Sequence, residues 1–140
     1  MFDLQAARAH VLNTCQDHNI WLSEQPWRPL RQATSVAGQF GQGAEILVSP
    51  VKGRLSYLAA LHEIGHCVLK HHHEGILYGH STDRVIDWEY QAWDWAFAQA
   101  IYLDRLGYRL RHWALQRYHL HHFPHDRRIQ LALNPHGSGQ

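Results

Sequence analysis

The sequence is short of several things, and each shortage narrows what the chain can be. Cysteine occurs only as Cys15 and Cys67, with no C-x-x-C pair, so no disulfide framework is expected. Both read as small core residues in a reducing compartment. Charged residues make up 18% and the formal net charge is +1. The whole molecule therefore lacks the field that gathers nucleic acid. No apolar run approaches the roughly 20 residues that a membrane helix needs. The opening MFDLQAARAH has no basic start followed by an apolar stretch, so no signal peptide is read there and the expected location is cytoplasmic. Internal repeats, long linkers and heptads are absent as well.

Histidine is what the chain has in excess, at 14 of 140 residues, alongside 6 Trp and 6 Tyr. Hydrophobic residues account for 45%, enough for one packed core in a chain of this length. The expected organisation is a single domain over residues 1–134. Pro135, Gly137 and Gly139 mark 135–140 as a flexible tail. Positive charge gathers in the C-terminal segment RLRHWALQRYHLHHFPHDRR. Such a mixture of Arg, His and aromatics can contact phosphate and stack bases. An amphipathic helix with a wet basic face accounts for it more simply, and nucleic acid is not the expected partner.

Periodicity gives the elements. Leu4, Ala7, Val11, Leu12 and Cys15 recur at helical spacing over 3–18, with Asp3 as cap and Asn19 as stop. A short strand starts at Ile20, and Pro26 and Pro29 keep it from being long or central. Thr34–Phe40 and Ala44–Ser49 read as a hairpin around Gly41 and Gly43. Extended peptides add to exposed sheet edges, and Ala44–Ser49 is expected to offer one. The clearest helix spans 56–72, capped near Ser56. A long helix is expected from Arg84 to Leu106, stopped by Gly107, then helical segments over 110–122 and 126–133.

His62, Glu63 and His66 form H-E-x-x-H in the middle of the clearest helix. Residues i and i+4 share a helix face, so both imidazoles can converge on one zinc ion. Glu63 is rotated about 100° from His62 and can reach a metal-activated water as general base. A catalytic zinc needs a third protein ligand. Glu89 is favoured, because Ala92, Ala96 and Ala100 on its side of the next helix permit close approach. Asp83, Asp87 and His80 are the alternatives. Asp94 follows Glu89 at i+5, a rotation that points it away from the metal. Oxyanion stabilisation needs a further Tyr or His. Tyr78, His80, Tyr102, His112, Tyr118 and His119 stay open for it. Cys67, the aromatic residues Trp88, Trp93, Trp95 and Phe97, and a partly exposed helix end at His71, His72 and His73 read as packing.

The zinc helix, the His71-His72 pair and the later Glu89-Tyr90-Gln91-Ala92 with Phe97-Ala98 resemble the ImmA/IrrE-like metallopeptidases. The resemblance covers roughly residues 44–100. It implies His62, His66 and Glu89 as Zn2+ ligands and Glu63 as the catalytic acid. It further implies an α+β, zincin-like domain with a helical majority and a small N-terminal sheet. The partner it implies is a peptide or protein substrate, a repressor-like regulator being one such protein. The rival expectation is a non-enzymatic zinc-binding regulatory protein of phage or mobile-element type.

Overall fold

The computed structural model describes residues 1–26, 34–36, 43–71 and 82–122. The first helix, α1, spans Leu4–Asp17. Asp3 caps it as expected, its Oδ1 accepting from the Ala6 N–H at 3.0 Å. Ala7, Val11 and Cys15 form its buried stripe. Asn19, at φ 55°, turns the chain out of the helix in the left-handed conformation that Asn tolerates.

Three strands follow: β1 (Ile20–Glu24), β2 (Thr34–Val36) and β3 (Ala44–Val48). Their order is β1-β3-β2. β3 runs parallel to β1, with Ile20 opposite Ala44, and antiparallel to β2, with Thr34 opposite Leu47. Residues 37–42, which include the rest of the expected second strand and most of its turn, lie outside the described residues. β3 is thus the central strand, paired on both sides, and is not the free edge expected from sequence. The edges of this sheet are β1 and β2. A central position suits β3 because its alternate residues Ile46 and Val48 are buried at 0% and 2% exposure.

The helix α2 covers Arg54–Val68 and is the hub of the core. Tyr57, Leu58, Ala60, Leu61 and Ile64 are all buried. That burial on more than one face is what a helix packed between a sheet and other helices requires. Gly53 is its N-cap, and Ser56 reaches back so that its Oγ accepts from the Gly53 and Lys52 N–H groups at 3.1 and 2.8 Å. The helix stops short of the expected residue 72. Lys70 adopts φ 59°, and the chain closes with Lys70 N–H on the Cys67 carbonyl (3.1 Å) and His71 N–H on the His66 carbonyl (2.9 Å). These are the paired bonds of a Schellman motif, with Lys where Gly is usual.

The next helix, α3, spans Thr82–Gln99, and α4 spans Arg105–His122. The break expected at Gly107 therefore falls earlier, between Gln99 and Arg105, and Arg105 and Leu106 open the following helix. Asp104 explains the break: its Oδ1 accepts from the Leu106 and Gly107 N–H groups at 3.0 and 3.3 Å and starts α4. Gly107 is not a helix stop. It is buried inside α4, where a Cβ would come within 2.7 Å of the Leu58 Cδ1. The basic segment is helical through His122, and residues 123–140, with the expected last helix and tail, lie outside the described residues. The architecture is the expected α+β one, helix-rich with a small N-terminal sheet. No helix among the described residues is long and apolar enough to cross a membrane.

Tyr57 ties α1, α2 and the α3–α4 junction together. Its hydroxyl accepts from the Ile101 N–H (2.9 Å) and shares a hydrogen bond with His10 Nδ1 (2.7 Å), donating to it when that nitrogen carries no proton. Tyr57→Phe should cost about 1–3 kcal/mol in chemical denaturation, since it strands two partners without changing core volume. Burial lowers the His10 pKa from 6.5, so the neutral ring is the one that fits. The sign follows: stability from this contact is full above about 6.5 and is lost as the pH falls below it.

Candidate metal centre

α2 and α3 cross closely, and the crossing has a specific cause. A Cβ at Gly65 would lie 2.9 Å from the Ala92 carbonyl oxygen and 3.3 Å from the Ala92 Cα. Ala92 and Ala96 are both fully buried in the same contact. Of the three alanines expected to admit close approach, Ala92 meets Gly65 directly and Ala96 is buried one turn on, whereas Ala100 lies past the end of α3 and is only partly buried.

This approach carries Glu89 onto the two histidines. Its Oε2 lies 2.9 Å from His62 Nε2 and its Oε1 lies 3.2 Å from His66 Nε2. Each carboxylate oxygen thus faces one ring nitrogen. One ligand atom from each of the three residues falls within 4.8 Å of the others, a set that could hold a metal ion. Asp87, one of the alternatives to Glu89, is exposed. His80 and the Asp83 side chain lie outside the described residues. Asp94 is turned away as helical phase requires, and pairs instead with Arg111 of α4 at 3.3 Å.

The electrostatics favour positive charge at this spot. Burial works against a protonated His62, but Glu89 and Glu63 outweigh it and push its pKa up to about 10. Burial likewise works against the ionised Glu89, and the charge and hydrogen bonds of His62 and His66 overcome it and lower its pKa. Glu63 follows the same balance, with His62 holding its carboxyl below the usual range. A buried site that gathers two carboxylates around two imidazoles suits a divalent cation. Two imidazole nitrogens and one carboxylate form a usual three-residue catalytic zinc set.

Each histidine is also held from behind. The Nδ1 of His62 lies 3.4 Å from Glu63 Oε1. The Nδ1 of His66 lies 2.9 Å from His71 Nδ1, and His71 Nε2 lies 3.1 Å from Gln91 Oε1. Trp93 stacks on His62 with ring centroids 4.3 Å apart, and Trp88 stacks on His71 at 5.1 Å. Sequence reasoning placed His71 on a partly exposed helix end. It is buried at 6% exposure, because the Lys70 turn folds it back onto His66. Burial, then the neighbouring His66, lower the His71 pKa to about 4. Trp93 and Trp95 belong to the core packing, as expected, and Trp93 and Trp88 pack on the His62 and His71 rings besides. His72 and His73 lie outside the described residues.

No protein-family profile, curated protein or solved structure matches this chain. The cluster matches the H-E-x-x-H plus downstream-glutamate signature typical of gluzincin metallopeptidases. That geometry supports a zinc-dependent peptidase mechanism with a glutamate as base, and the architecture is that of an enzyme. The oxyanion partner is narrowed only in part. Tyr102 packs against Phe2 and Tyr57, and His112 is exposed on α4. Tyr78, His80 and the side chains of Tyr118 and His119 fall outside the described residues.

Proposed function

We propose that this chain hydrolyses a peptide bond, with His62, His66 and Glu89 holding Zn2+ and Glu63 as the general base. The observation that carries the reading is the convergence of both Nε2 atoms on the two oxygens of one partly buried carboxylate. Bound zinc supplies a Lewis acid that polarises the scissile carbonyl and acidifies a water. Glu63 takes the proton of the attacking water on its carboxylate and passes it to the leaving amine. Trp93 holds the plane of the His62 ring and keeps water from its face. The substrate class is a peptide or an exposed loop of a partner protein, a repressor-like regulator among them. Cys15 and Cys67, both buried and neither in a disulfide, fit a reducing, cytoplasmic setting.

Metal analysis of the purified protein tests the assignment. One zinc per chain is expected in the parent, and none after dialysis in His62→Ala or Glu89→Ala. Because a bound metal adds to folding free energy, zinc should raise the melting temperature of the parent and leave both variants unmoved. Retention of tightly held zinc by Glu89→Ala would reject Glu89 as a ligand.

A further inference from the structure

The contacts behind His66 form a chain whose direction can be deduced. A neutral imidazole carries one ring proton, on one nitrogen only. If His66 offers its Nε2 lone pair beside Glu89, its proton sits on Nδ1. That proton has a partner 2.9 Å away, the Nδ1 of His71, which must then be the acceptor. The proton of His71 is thereby placed on Nε2, which faces Gln91 Oε1 at 3.1 Å. An amide oxygen only accepts, so the chain ends with every donor matched to an acceptor.

We infer that His71, braced by Gln91, is a positioning residue that fixes His66 in the tautomer whose Nε2 lone pair faces the metal locus. The inference rests on the zinc reading and extends it beyond the three ligands. Metal-bound histidines need a partner on the other nitrogen to set tautomer and ring orientation. Here a second imidazole fills that place, with an amide behind it.

The backbone supports the same conclusion. Lys70 sits at φ 59°, a left-handed conformation that is unfavourable for a residue with a Cβ. The two bonds of the Schellman closure hold it there, and their effect is to bring His71 beneath His66. An apolar residue could fill the space against Trp88. A buried imidazole with both nitrogens matched has a hydrogen-bonding purpose as well.

His71→Phe separates the two roles, since phenylalanine keeps a flat ring against Trp88 and removes both nitrogens. Zinc affinity, measured by competition with a chelator, should fall about 10- to 100-fold. Gln91→Leu should weaken zinc in the same direction, and Gln91→Glu, which still accepts, should bind at least as well as the parent. In the zinc-loaded parent, nitrogen NMR should show His66 protonated at Nδ1, with a coupling across the bond to His71 Nδ1. Cobalt substitution should give the same visible spectrum in the parent and in Gln91→Leu, because the ligand set is unchanged. Parental zinc affinity in His71→Phe, or a His66 proton on Nε2 in the loaded protein, would overturn the inference and leave the zinc site intact. A parent that binds no zinc would instead remove the reading beneath it.

Discussion

Glu63→Gln is expected to lower peptide hydrolysis by about 10²- to 10⁴-fold, the range a positioned acid or base contributes. Zinc content should stay at one per chain, because Glu63 is not among the three residues whose ligand atoms converge. Glutamine has nearly the same shape and can still accept a hydrogen bond from His62 Nδ1, now 3.4 Å from the carboxylate. It cannot take up a proton, so the loss should fall on the chemical step: kcat drops while KM changes little. The measurement is cleavage of a peptide library read by mass spectrometry, followed by kinetics on the best substrate. A variant that cleaves as fast as the parent would remove Glu63 as base. Zinc binding by both proteins with cleavage by neither would favour the non-enzymatic regulator.

Gly65→Ala should damage the site without touching any ligand. The added methyl would sit 2.9 Å from the Ala92 carbonyl oxygen, inside any ordinary carbon–oxygen contact. That atom is backbone of α3, so no side-chain rotation relieves it, and the helix must move. Overpacking of this kind costs about 1–3 kcal/mol. Ala92 follows Glu89 by one helical turn, so a shift there carries Glu89 away from His62 and His66. Zinc affinity should therefore fall at least about tenfold, the equivalent of 1.4 kcal/mol. Thermal melts with and without zinc check both effects: a lower melting temperature in each condition and a smaller increment from the metal. Unchanged zinc affinity would mean that the crossing distance does not set the site.

Much of this was legible in the residues. His62, Glu63 and His66 are fixed by helix period alone, and Glu89 follows from a carboxylate placed among alanines on the next helix. Asp94 was excluded by the same rotation. The features that escaped depend on tertiary choices. A Lys at φ 59° carries no composition signal, so the inward turn of His71 was hidden behind what looked like a helix running on. Gly107 has the sequence signature of a helix end, yet it serves close packing on Leu58, and Asp104 sets the boundary. Strand order is likewise unreadable from short runs, which is why β3 was taken for an edge. Gln91 gave no sign of its part, since its partner arrives from a turn that could not be foreseen.

The crossing of α2 and α3 also decides how the site comes into being. His62 and His66 are neighbours as soon as one helix forms, but Glu89 joins them only when a second helix docks. Two of the three donors are local and one is long-range. The isolated helix then offers only its two histidines to this site, and the third donor arrives with the native packing of Gly65 on Ala92. On the proposed reading, metal affinity is accordingly a gauge of tertiary structure: whatever loosens the helix pair should be felt first as weaker binding, before any ligand is lost.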